Sequence, residues 1–285
     1  MPDSVIVWDI ETVPDLKGFA AANGLEGKSD DEVREVIGDQ FPKLIFHSVV
    51  CIGALIAERH EGFWHVRVTG APHIGERSEK ELIEGFVGKI AELEPQLITF
   101  NGSSFDLPVL RYRAMVHQIA APGLFARPYF NRYTDDALDL CDALASFSSR
   151  ARGTLHEICR VLGLPGKIEG ISGAMVESFH REGRLREVAE YCETDVINTY
   201  RVWLRYQLFR GGATPEQFKA SERDLAAHIR ERIASKPHLA GFFDHQTDDV
   251  VRTADQPDGA VPSRPEDRSA PDAKVPGEAE TKPRD

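Results

Sequence analysis

The stretch that most constrains this chain is Val5-Ile6-Val7-Trp8-Asp9-Ile10-Glu11-Thr12. A run of β-branched and aromatic residues favours a buried strand. Two carboxylates interrupt it, and side chains two apart on a strand share a face. Asp9 and Glu11 therefore stand side by side, with Ile10 turned to the opposite face. Like charges this close repel, and one pKa rises unless a cation holds them. Hard oxygen ligands in a pair suit Mg²⁺ or Mn²⁺. Taken alone, the pair fits a polar strand end at a sheet edge at least as well.

Composition bounds the function classes. Of the 285 residues 41% are hydrophobic, which suffices for one sizeable core. The net charge of −12 argues against a broad surface that coats nucleic acid. It does not argue against an enzyme whose bound metal ions supply local positive charge. Cys51, Cys141, Cys159 and Cys192 are scattered, form no Cys-x-x-Cys pair and lie in apolar contexts. They read as reduced core thiols of a cytoplasmic protein. The first residues lack a basic segment followed by an apolar one, so no secretory signal is expected. The longest apolar run, Val49 to Ala57, is too short to span a bilayer, so no membrane partner is expected.

Pro14 breaks the first strand, and residues 15–44 read as an excursion with one or two short helices. Asp30-Asp31-Glu32 opens the second of these, because acids favour a helix N-terminus. Residues 46–57 predict a central strand, with residues 63–69 as its hairpin partner across Glu61-Gly62. Ser78 to Glu94 predicts an amphipathic helix with a Ser78/Glu81 capping box, ended by Pro95. Gln96 to Phe100 is a short strand running into Asn101-Gly102-Ser103-Ser104-Phe105-Asp106. There Gly102 permits a sharp turn, and Ser103 or Ser104 caps the next helix. Asp106 falls in that helix's first turn, a common place for Asp on any helix.

Four acids between Asp135 and Asp142 read either as a metal cluster or as helix-start charge; Asp139 and Asp142 are given supporting roles at most. Thr154 to Gly163 is a capped helix closed by glycine. Glu187 to Leu208 is a long helix that puts Tyr191 and Asp195 one turn apart on one face. Thr214 to Ile233 is a last amphipathic helix with Pro at its second position. From residue 246 onward there is no Phe, Trp or Tyr and proline is dense, which predicts a disordered acidic tail.

These elements make an α/β chain with a mixed sheet covered on both sides. Three acidic sites remain, each explicable alone: the Asp9/Glu11 pair, Asp106 and Asp195. Taken in order, Asp9-Ile10-Glu11-Thr12, Asn101-Gly102-Ser103-Ser104-Phe105-Asp106 and Tyr191-Cys192-Glu193-Thr194-Asp195 resemble the three exonuclease motifs of the DEDD superfamily. The likeness is to the group similar to the proofreading exonuclease domain of family B DNA polymerases. Tyr-x-x-x-Asp marks the tyrosine subclass; the histidine subclass would place His where Glu190 stands. Asp139-Leu140 and the Leu162–Lys167 stretch share in it.

The resemblance implies a ribonuclease H-like fold and 3′→5′ exonuclease activity on a DNA 3′ end, single-stranded in such sites. It implies Asp9, Glu11, Asp106 and Asp195 as ligands of two Mg²⁺ or Mn²⁺ ions, and Tyr191 as the residue that orients the attacking water. Thr12, Asn101, Phe105 and Lys167 are the implied substrate contacts, with Arg111 and Arg113 as further candidates for phosphate. It divides the chain into an exonuclease domain (1–210), a helical extension (211–245) and the tail (246–285), with no polymerase domain. An RNA-trimming nuclease of the same superfamily is the alternative, since the motifs do not read the 2′-OH. A non-catalytic nucleic-acid-binding module is a second, but it would keep four clustered acids at a repulsion cost for no gain.

Overall fold

The computed structural model describes residues 3–166 and 172–243. Lys167 and the tail expected from residue 246 lie outside them. Strand β1 (Ser4–Pro14) is the middle of a five-stranded sheet with order β3-β2-β1-β4-β5. Strands β2 (His47–His60) and β3 (Phe63–Gly70) run antiparallel to their neighbours. Strands β4 (Gln96–Thr99) and β5 (Ala137–Asp139) continue the sheet parallel to β1. This mixed sheet, with helices on both faces, is the ribonuclease H-like arrangement expected from the sequence. The β2–β3 hairpin turns on Glu61 and Gly62, both at positive φ (52° and 89°), as a tight two-residue turn demands.

The excursion between β1 and β2 carries helices α1 (Leu16–Asn23) and α2 (Asp30–Ile37), the second opened by a Ser29/Glu32 capping box. Helix α3 (Glu79–Leu93) links β3 to β4, and α4 (Asp106–Val116) links β4 to β5. The short helices α5 (Leu140–Leu144), α6 (Leu155–Val161) and α7 (Val176–Arg181) follow. The 25-residue α8 (Leu185–Phe209) and then α9 (Pro215–Arg230) complete the α-helices of the described residues, with a 3-10 helix (Pro237–Phe243) after them.

Period-two alternation in β1 decides which helix lies on which face. Val5 and Val7 pack with Val196, Ile197, Tyr200 and Trp203 of α8. Ile6, Trp8 and Ile10 pack instead with Leu82, Ile83 and Phe86 of α3 and Leu107 and Leu110 of α4. Asp9 and Glu11 continue the Val5/Val7 row, so they point toward α8. Helix α8 is buried on nearly every side, and its polar residues are partnered accordingly. Glu193 takes Lys236 at 2.6 Å and His238 at 3.0 Å, and Arg201 takes Glu222 at 2.9 Å.

Two further contacts frame the sheet. Gly53 of β2 pairs directly with Asp9 of β1. A Cβ at Gly53 would lie 2.7 Å from the Cys192 sulfur and 3.0 Å from Val196 Cγ2, so only glycine lets α8 settle against these strands. At the outer edge, the backbone N–H groups of Trp64 and Val66 donate to Ser221 Oγ (3.0 Å) and Asp224 Oδ2 (2.7 Å) of α9. Phe218, Leu225 and Ile229 of α9 join the same apolar cluster as β1 and α8.

Candidate active site

Strand β1 brings Asp9 and Glu11 to the face that α8 covers, and α8 brings Tyr191 and Asp195 one turn apart. The helix after β4 supplies Asp106, whose Oδ1 accepts the Ile10 backbone N–H at 3.0 Å. Residues from three distant segments thus meet at one place. Glu11, Asp106, Tyr191 and Asp195 are buried, while Asp9 keeps partial exposure. Burial first, then Asp106, Glu11 and Asp195, push the Asp9 carboxyl well above its ordinary range. Burial likewise pushes Asp106 up, to about 7, against the restraint of the Ile10 N–H.

The contrast with other buried acids is informative. Asp142 lies between Arg132 and Arg152, and Glu79 is gripped by Arg113 and His117. Around Asp9 the described residues are chiefly acids: Asp106, Glu11 and Asp195 each raise its carboxyl further. A pocket where carboxylate oxygens from separate segments converge is the kind of donor set a hard divalent ion takes.

Burial and the Asp195, Glu11 and Asp9 charges drive the Tyr191 phenol far above its ordinary pKa, so it stays protonated. A ligand atom of Cys192 also lies within 4.8 Å of ligand atoms of Asp9 and Glu11, a neighbour the sequence reading did not single out. Its hydrogen bond with Cys51, then burial, raise its pKa well above the usual thiol value. A protonated thiol is no ligand for a hard cation. Cys192 is the packing contact that seats α8 over Gly53 and Asp9.

The loop after β4 departs from expectation in detail. Neither Ser103 nor Ser104 caps α4; the preceding residue is Phe105, which makes no side-chain cap. The left-handed residue of the turn is Asn101 (φ 71°) rather than Gly102. Gly102 is required for space instead, because a Cβ would meet Thr99 side-chain atoms at 2.5 Å. The loop is held by Asp139, whose carboxylate accepts the N–H groups of Asn101 (2.7 Å), Ser103 (3.0 Å) and Cys141 (3.0 Å). The acids at 135–142 therefore are not a metal cluster. Asp139 caps α5 and ties the loop, while Asp135, Asp136 and Asp142 pair with Arg210, Arg127 and the two arginines above.

Thr12 Oγ1 sits 2.9 Å from His47 Nδ1, and His47 Nε2 sits 3.2 Å from the Pro42 carbonyl. A carbonyl only accepts, so Nε2 carries the proton and Nδ1 accepts from the Thr12 hydroxyl. Burial lowers the His47 pKa and keeps the ring neutral. Phe105 is half-buried, and its ring meets His47 at 5.2 Å and Phe41 at 5.7 Å. Phe41 remains 72% exposed, which makes it an aromatic face at the mouth of the site that no local signal had marked. Arg113 is not available to phosphate: it is buried between Glu79 and Asp15. Arg111 is exposed and lies 5.3 Å from the Phe130 ring.

A carboxyl whose pKa is raised on folding binds protons that the unfolded chain has lost. The Asp106 contribution to the stability of the metal-free protein is therefore lost as pH rises from 3.8 through about 7. We expect 10 mM (about, as a saturating dose) Mg²⁺ or Mn²⁺ to raise the Tm by roughly 5 °C at pH 8 and far less at pH 5. A thermal-shift series checks this, and equal shifts at both pH values would contradict it.

No helix among the described residues is long and apolar enough to cross a membrane. A search of curated proteins finds no match. A family described as "Predicted 3'-5' exonuclease related to the exonuclease domain of PolB" matches residues 39–246 of the 285. The matched span contains Asn101, Asp106, Tyr191 and Asp195; Asp9 and Glu11 lie upstream of it and join the site through the β1–β2 and β1–β4 pairing. With well over half of its length matched, the chain belongs to this family of predicted 3′-5′ exonucleases related to the exonuclease domain of PolB.

Proposed function

We propose that this protein hydrolyses phosphodiester bonds from the 3′ end of single-stranded DNA, with Asp9, Glu11, Asp106 and Asp195 as the ligands of two Mg²⁺ or Mn²⁺ ions. The observation that carries the reading is the meeting of Asp106 and Asp195, from distant parts of the chain, with the Asp9/Glu11 pair, where together with burial they raise the Asp9 carboxyl. Bound divalent cations supply a water of lowered pKa and neutralise charge on the phosphate. The rest falls to the chain.

The Tyr191 hydroxyl, held protonated, donates or accepts a hydrogen bond but takes no proton. Its role is to orient the attacking water in line with the scissile bond. Asp106, fixed by the Ile10 N–H, keeps one donor oxygen in place before substrate arrives. Asn101 is presented by a loop pinned on Asp139, which suits its carboxamide to bind the terminal nucleotide. Phe105, backed by His47 and Phe41, offers a ring to the terminal base, and Thr12 fixes His47 behind it.

The experiment is digestion of 5′-labelled single-stranded DNA and RNA side by side with Mg²⁺ or Mn²⁺. The reading expects a ladder shortening from the 3′ end of DNA that vanishes with chelator. Cleavage of RNA alone would replace DNA by RNA as substrate, and no cleavage of either would end the reading. Tyr191→Phe keeps the ring packing and removes the hydroxyl; we expect kcat to fall about tenfold to a hundredfold with the Tm unchanged. An unchanged rate in single-turnover assays would take Tyr191 out of the reaction.

A further inference from the structure

The loops flanking β5 and α5 carry a surface that the carboxylate pocket does not use. Tyr133 and Phe147 pack at a tilt of 51° with ring centroids 5.1 Å apart, yet they are 75% and 47% exposed. Ser146 and Phe147 are both left-handed (φ 50° and 59°), a strained conformation for a bulky side chain. The Phe147 N–H bonds the Asp142 carbonyl at 2.8 Å and holds the turn in that shape. In that turn the Phe147 ring lies at the surface, half-exposed beside Tyr133.

Charge accompanies the rings. The buried Asp142 carboxylate binds the Arg132 and Arg152 guanidiniums together. Both guanidiniums nonetheless stay partly exposed, 41% and 30%, on a chain of net charge −12. Arg132 lies 5.9 Å from the Tyr133 ring centre. Arg152 reaches the other way and donates to Asn101 Oδ1 at 3.4 Å, so the patch is continuous with the loop beside Asp106.

We propose that Tyr133, Phe147, Arg132 and Arg152 bind the substrate strand upstream of its 3′ terminus. Bases stack on the two rings, and phosphates pair with the two guanidiniums. Rings beside fixed arginines are the chemistry of sequence-tolerant single-strand binding. The ligand is therefore single-stranded nucleic acid, and the surface adds affinity without reading sequence. This rests on the nuclease reading above.

The test is binding of fluorescein-labelled oligothymidylates by anisotropy in EDTA, where nothing is cleaved. Against a strand of roughly 12 nucleotides, Tyr133→Ala with Phe147→Ala raises Kd about tenfold, and the loss shrinks toward a trimer. Tyr133→Phe keeps the stacking face and keeps the wild-type Kd. Phe147→Trp gives an exposed indole, distinct from the buried Trp8, Trp64 and Trp203, whose emission the oligonucleotide quenches. Arg152→Gln flattens the salt dependence of binding. Equal Kd for the double alanine variant and wild type on the long strand, or an unquenched indole, overturns the proposal. Because binding is read without metal, a protein that cleaved no strand would defeat the nuclease reading while these measurements still decided this one.

Discussion

Asp9→Asn abolishes hydrolysis, by about a thousandfold or more, and leaves the protein folded. The substitution preserves shape and removes one negative charge from the pocket's centre. Asp9 is the residue on which the other three carboxyls converge electrostatically. An amide there is a weaker ligand to a hard cation, and the stabilisation of the charged phosphate goes with it. The same change relieves repulsion in the metal-free state. The Tm in EDTA at pH 8 therefore stays level or rises, while the Tm gain on adding Mg²⁺ or Mn²⁺ shrinks. Loss of activity with gain of metal-free stability distinguishes a site residue from a structural one. Full metal-dependent cleavage by this variant, read on a labelled oligonucleotide, would remove Asp9 from the chemistry.

Gly53→Val is the second large effect, and it acts without touching a ligand. Gly53 stands opposite Asp9 in the β1–β2 ladder, and its missing side chain is filled by Cys192 and Val196 of α8. A first carbon there would lie 3.3 Å from the Cys192 carbonyl oxygen, which is backbone and cannot swing away. Helix α8 must shift outward, and overpacking of this kind costs about 1–3 kcal/mol, with valine toward the upper end. Tyr191 and Asp195 move with the helix, and a displacement of about 1 Å at reacting groups can lower the rate by about a hundredfold. Thermal unfolding and cleavage should therefore fail together. A Gly53→Val protein with wild-type Tm and activity would show that α8 does not depend on that opening.

The parts of the candidate site legible in the sequence are those with local signals. Asp9 and Glu11 follow from period-two alternation in one strand, and Tyr191 and Asp195 from one helical turn. The capping box at Ser78 and the capped, glycine-closed segment from Thr154 announce their helices in the same way, and the structure adds a Thr154/Glu157 box. The β2–β3 hairpin was announced by Glu61-Gly62. What stayed hidden depends on register between distant segments. Nothing near Gly53 says that Asp9 lies across from it. Nothing near Asp139 says that its oxygens hold the loop at Asn101 and Ser103 rather than a cation. Ser103 and Ser104 carried a capping signal that this tertiary bond overrode. Phe41 sits in an excursion whose role could not be read, and only packing on His47 and Phe105 brings it to the site.

The way α9 lies along β3 bears on how this protein behaves as a population. An outermost strand offers unspent backbone donors to any neighbour, and pairs readily with a second copy of itself. Here the hydroxyl of Ser221 and the carboxylate of Asp224 occupy the Trp64 and Val66 donors. Chains cut before Thr214 would expose that rim beside the apolar residues α9 had covered. Such fragments should clump through strand-to-strand addition, and the helix serves as a guard against self-association as much as a part of the core.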